Sequence, residues 1–84
     1  MYQVVIERKA EKDLDRLSPP IHRRVSESIV ALAVDPRPPG CRKLVGGDGD
    51  WRIRVGDYRV IYQIADAIRV VRINRVRHRR EVYK

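Results

Sequence analysis

The tightest constraint on this chain is residues 51–64, WRIRVGDYRVIYQI. Two alternating runs flank Gly56-Asp57, and a two-residue turn with a glycine suits the positive φ that hairpin turns need. That turn sets a register. Val55 faces Tyr58, Arg54 faces Arg59, Ile53 faces Val60, Arg52 faces Ile61, and Trp51 faces Tyr62. Side chains alternate between the faces of a strand. One face therefore carries Trp51, Ile53, Val55, Tyr58, Val60, Tyr62 and Ile64, and needs covering. The other carries Arg52, Arg54 and Arg59, with Ile61 and Gln63 beside them. An even-numbered turn near Ala65-Asp66 would add Arg72 and Asn74 of the next strand to this arginine face. Like charges directly opposite one another cost roughly a few tenths of a kcal/mol per pair. Asp50 and Asp57 are too few to offset the group, so the arrangement calls for a polyanion on the solvent side of the hairpin.

The rest of the chain supplies the cover. Tyr2 to Ile6 reads as a strand, rich in β-branched residues. Ala10, Leu14 and Leu17 then form a helical stripe. Ser18 suits an N-cap and Pro19 a first helical position, and Ile21, Val25, Ile29 and Leu32 form a second stripe. DPRPPG, residues 35–40, can be neither helix nor central strand. Strands near 51–55, 58–64 and 68–76 follow. The expected fold class is α+β, in the order β-α-α-β-β-β. Two N-terminal helices pack on one face of a small antiparallel sheet, in one domain over residues 1–84.

Charge narrows the partner. The 84 residues carry a formal +8, and the charge is uneven. Residues 1–50 hold nine basic and eight acidic side chains, whereas residues 51–84 hold ten and three. A basic half on a near-neutral scaffold suits nucleic acid. The tail RVRHRREVYK adds Arg75, Arg77, His78, Arg79 and Arg80, then Tyr83. Guanidinium groups beside a histidine and a tyrosine could hold a phosphate, move a proton and stack a base. Lone Cys41 allows no internal disulfide and suggests a reducing compartment, the cytoplasm. No stretch approaches the ~20 apolar residues that cross a bilayer, and no signal peptide is expected. No metal-ligand spacing or phosphate-cradling glycine loop is present, so any chemistry is expected to need no metal and no cofactor.

WRIRVGDYRVIYQI followed by IRVVRINRVRHRREVY closely resembles the RelE branch of the RelE/ParE toxin superfamily. AEKDLDRL, the SPPI helix start, DPRPPGCRKL and the glycine-rich turn agree in order and spacing, so the resemblance covers essentially the whole chain. It implies the toxin of a type II toxin–antitoxin system, a metal-independent mRNA endoribonuclease that inhibits translation. Such a toxin enters the ribosome, cuts mRNA in the A-site codon by 2′-OH attack, and is neutralised by a cognate antitoxin. The partners implied are an acidic helical antitoxin segment, the ribosome with its A-site mRNA, and operator DNA only through the antitoxin. Carried over by position, Arg59 holds the scissile phosphate. Arg79, with His78 beside it, aids the leaving group, and Tyr83 stacks on a base and orients or deprotonates the 2′-OH. Arg52 and Arg54 contact substrate, with Arg72, Arg77 and Arg80 as further substrate-binding candidates. Arginine keeps its proton, so neither Arg52 nor Arg54 can be the base. A ParE-like DNA gyrase inhibitor and a non-catalytic nucleic-acid-binding relative are the alternatives.

Overall fold

The hairpin forms in the register its turn dictates. In the computed structural model, which describes residues 1–46 and 49–82, β3 (Asp50–Val55) and β4 (Tyr58–Ala65) pair Val55 with Tyr58, Arg54 with Arg59 and Ile53 with Val60. Gly56 takes φ +60° at the turn, where a side chain would be strained. Before the hairpin come β1 (Gln3–Ile6), α1 (Arg8–Asp15), α2 (Pro19–Ala31) and a two-residue strand β2 (Arg42–Lys43); after it come β5 (Val70–His78) and a single-turn helix α3 (Arg79–Val82). A 3₁₀ turn at Asp66–Ile68 joins β4 to β5.

The architecture is the expected α+β one, with two differences. The sheet has five strands in the order β1-β5-β4-β3-β2. It is also mixed, because β1 runs parallel to β5, Gln3 beside Val70 through Ile6 beside Ile73. Tight turns make the meander β3-β4-β5 antiparallel, but β1 reaches its partner through the two helices, and a crossover of that kind permits parallel pairing.

The helices cover one face. Ser18 is the N-cap of α2 with Pro19 following, although the Ser18 side chain makes no capping bond. Ala10 and Leu14 of α1, with Val25, Ile29 and Leu32, pack on Ile53, Val55, Val60, Tyr62, Val71, Ile73 and Val76 of the sheet. Burying such side chains contributes roughly 1.5–3 kcal/mol each for the larger ones. The DPRPPG connector is fastened to the sheet through Pro36 and Arg37. Tyr62 donates to the Pro36 carbonyl at 2.8 Å, and burial pushes its hydroxyl pKa up. Arg37 lies over the Trp51 ring at 5.1 Å and makes a bidentate pair with Asp66. Asp66 also accepts from the Tyr2 hydroxyl at 2.6 Å. The Arg37 guanidinium, then Tyr2, hold the Asp66 carboxyl at about 2.

In β5 the core positions are Val71, Ile73 and Val76, a spacing no regular strand allows. The pairing explains it: Tyr62 faces Ile73 and Ile61 faces Arg75, which leaves Asn74 as an extra residue in a bulge. Past the bulge, Val76 points into the core, and Arg75 and Arg77 join the arginine face. Arg77 and His78 therefore end a strand rather than beginning the expected tail.

Candidate nucleic-acid interface

Cross-strand neighbours share a face, so the pairings convert single arginines into rows. One row runs Arg54, Arg59, Arg77 across β3, β4 and β5. The next runs Arg42, Arg52, Ile61, Arg75. A third holds Asp50, Gln63 and Arg72. Of the expected substrate-binding residues, the sheet therefore gathers Arg52, Arg54, Arg72 and Arg77 on the face of Arg59. Asn74 reaches the same face, with its Nδ2 at 3.5 Å from Asp50 Oδ1.

The face is less open than alternation suggests. Arg54 is exposed, but Arg59 is only 5% and Arg52 only 8% accessible. This corrects the expectation that these side chains stand in solvent. Arg59 is flanked by strands on both sides, and α3 packs against β4 and β5 beside it. Its Nη1 turns back to the Gly56 and Tyr58 carbonyls at 3.3 and 3.1 Å. Its Nε, and the Nε of neighbouring Arg77, are buried without a hydrogen-bond partner among the described residues. Buried donors are ordinarily satisfied. Two unsatisfied cationic N–H groups thus belong to neighbouring residues in a row of three guanidiniums, and charge-assisted donors of this kind pair best with an oxyanion.

The expected catalytic residues divide. Arg59 sits at the centre of the row. His78 lies opposite Tyr58, which is on the helix side of the sheet, and so it faces away from Arg59. Its ring packs edge-on against Tyr58 at 5.3 Å, and its Nδ1 accepts the Arg80 N–H at 3.2 Å. Arg79 opens α3, with its N–H on the Asp57 carbonyl at 2.8 Å and an exposed side chain. Arg80 is likewise exposed. Tyr83 lies outside the described residues. Arg72 is paired with Glu7 at 2.7 Å, one row from the bulge.

Sequence reasoning missed three contributors. Arg42 enters the second row through a two-residue strand too short to leave a pattern. Asp13 of α1 is the second: it clips Arg75, which donates from Nε to Oδ2 at 2.9 Å and from Nη2 to Oδ1 at 3.2 Å. The same carboxylate takes the Val76 N–H at 2.9 Å, just past the end of β1 pairing. Burial pushes the Asp13 pKa up, but the Arg75 and Val76 hydrogen bonds and the field of Arg75 and Arg77 outweigh it and hold the group below its ordinary value. Glu81 of α3 is the third: it holds Arg77 Nη2 at 3.1 Å.

A second feature opens at the β3 edge. β2 pairs only with Trp51 and Arg52. Beyond it, a cleft of about 440 Å³ lies between α2, the Pro38–Gly40 bend and β3, with Arg42 and Arg54 on its wall. Among the described residues no helix is long and apolar enough to cross a membrane.

Residues 4–83 match the family model of the ParE toxin of the type II toxin–antitoxin system parDE. A candidate toxin of Methanocaldococcus jannaschii, RelE1, is 30% identical over 86 residues, spanning 99% of this chain and 96% of that protein. Among solved structures, the RelE–RelB complex of Pyrococcus horikoshii is similar at 32% identity and a TM-score of 0.82, covering 93% of this chain and 94% of that one. The isolated Escherichia coli RelE toxin matches at 26% identity and a TM-score of 0.79, covering 99% and 92%. The chain is a type II toxin–antitoxin toxin and belongs to the RelE branch of the RelE/ParE superfamily.

Proposed function

We propose that this toxin is a ribosome-dependent, metal-independent mRNA endoribonuclease that acts in the cytoplasm and cuts the A-site codon. The observation that carries the reading is Arg59, buried between Arg54 and Arg77 with an N–H that has no partner among the described residues. A 2′-OH attacking its neighbouring phosphate builds negative charge on the phosphoryl oxygens, and preorganised cationic donors stabilise that charge most where water is excluded. Arg59 and Arg77 would hold the scissile phosphate. Arg52, Arg54, Arg72 and Arg80 would hold neighbouring phosphates, which supply most of the affinity. Tyr83 would stack on a base, and Arg79 would assist the departing 5′-oxygen by its charge, since His78 faces the helix side. A cognate antitoxin with an acidic helical segment would cover this surface, in keeping with the RelE–RelB complexes of the relatives. Operator DNA would be reached through the antitoxin.

The family model named for ParE supports a second reading, a gyrase inhibitor. Translation in vitro on a defined message, followed by primer extension, separates the two. Ends within the A-site codon support the nuclease. Gyrase-linked DNA breaks with intact message support the alternative, and neither result leaves a non-catalytic binding module.

A further inference from the structure

The arginine rows can hold a phosphoryl transition state, but they cannot take a proton. Guanidinium groups stay protonated throughout the working pH range. His78, the one imidazole near the row, faces the helix side, and its Nδ1 is already an acceptor for Arg80. Among the described residues one carboxylate touches the Arg54–Arg59–Arg77 row, Glu81, whose Oε2 lies 3.1 Å from Arg77 Nη2. Of the other acids, Asp13 clips Arg75 and Val76, Glu7 holds Arg72, and Asp50 lies two rows away beside Asn74. Glu81 is half-exposed, so it can exchange protons with water.

Resting on the nuclease reading, we infer that Glu81 is the general base of the cleavage step. In the free protein its carboxylate occupies Arg77. A phosphate arriving at Arg59 and Arg77 is the stronger and better-placed anion and takes over that guanidinium. This frees the Glu81 carboxylate beside the phosphate, where the adjacent 2′-OH lies. The carboxylate accepts the 2′-OH proton as the 2′-oxygen bonds to phosphorus. The P–O5′ bond then breaks, leaving a 2′,3′-cyclic phosphate, and water protonates the departing 5′-oxygen. The hydroxide so formed takes the proton from Glu81 and restores the carboxylate. Positioned general bases contribute roughly 10²–10⁴-fold.

The test is single-turnover cleavage on ribosomes programmed with a defined A-site codon, using wild type, Glu81→Ala, Glu81→Gln and Arg77→Ala. Both Glu81 variants should slow cleavage by roughly 10²–10⁴-fold. Glu81→Ala should recover in proportion to added sodium formate, with ionic strength held constant by chloride. A message with sulfur replacing the scissile 5′-oxygen, a far better leaving group, should leave Glu81→Ala slow, because the lost step is proton removal from the 2′-OH. Arg77→Ala, which keeps the carboxylate and loses a phosphate donor, should not recover with formate. The inference is overturned if Glu81→Ala cleaves at or above the wild-type rate, for Glu81 would then be only a resting counter-ion. It is equally overturned if formate does nothing, which marks a structural role. If wild type itself cuts no message, the nuclease reading falls and takes this inference with it; in the first two cases only the inference falls.

Discussion

Arg59 and Arg77 face each other on adjacent strands, and each buries an Nε–H that finds no partner among the described residues. Two like charges held this way lower stability. Replacing Arg59 with an apolar chain of similar length should therefore stabilise the fold while removing function. Arg59→Met is expected to gain roughly 1 kcal/mol, about 4–8 °C in Tm for a domain of this size, and to abolish growth arrest on expression. Arg59→Glu should also stay folded, since its carboxylate meets Arg54 and Arg77, and be inert. Val60→Glu, at a fully buried position, should unfold the protein. Scanning calorimetry with a growth assay reads all three. A toxic Arg59→Met would show that the row is not the site.

Roles near the end of β5 should follow the faces of the strand. Arg77→Ala is expected to lose roughly 10²–10³-fold in single-turnover cleavage, the size of a lost transition-state donor. His78→Gln should stay within a few-fold of wild type, because the ring packs on Tyr58 away from Arg59. A His78→Gln variant as slow as Arg77→Ala would mean that the strand end rearranges when substrate binds. Tyr83→Phe should cleave near-normally and Tyr83→Ala slowly if the ring stacks on a base.

Asp13 should matter for stability more than for chemistry. Asp13→Asn weakens the bonds to Arg75 and Val76 and should cost about 1.5–3 kcal/mol, the range for hydrogen bonds to charged groups. The sign of the pH dependence follows from the lowered Asp13 pKa. A depressed carboxyl pKa stabilises the fold fully above the unfolded value of about 3.9. That contribution drains away as pH falls through the lower folded value. The Tm gap between wild type and Asp13→Asn should be constant above about pH 5 and close in acid. A gap that widens in acid would contradict this.

Association with the antitoxin should be fast and salt-sensitive, since an acidic segment approaching Arg42, Arg52, Arg54 and Arg59 is steered by charge. Stopped-flow rates should fall steeply between low and physiological salt, while dissociation changes less. A rate indifferent to salt, or a net-basic toxin-binding segment, would argue against the arginine face as the docking surface.

The hairpin was legible in the sequence because the Gly56-Asp57 turn and strict alternation leave one register, and that register is the one observed. The helix stripes were legible for the same reason: periodicity reports which side is covered. Burial of Arg59 was not legible, since it depends on the strands and α3 that surround it rather than on its own neighbours in sequence. The bulge left a trace that regular alternation obscured. Val71, Ile73 and Val76 cannot share a face without an extra residue, and Asn74 is that residue. Nothing local links Gln3 to Val70, so the parallel pairing of β1 could only be found in three dimensions.

The strand order also carries a consequence for synthesis. β5 lies between β1 and β4 in the sheet, yet it is translated after both. Until residues 70–78 have emerged, β1 has no partner, β4 has an open edge, and the row at Arg54 and Arg59 lacks Arg77. A nascent chain carrying the hairpin alone holds the arginines but not the surface that aligns them. The complete arginine row therefore waits on β5, the one strand that pairs with both β1 and β4.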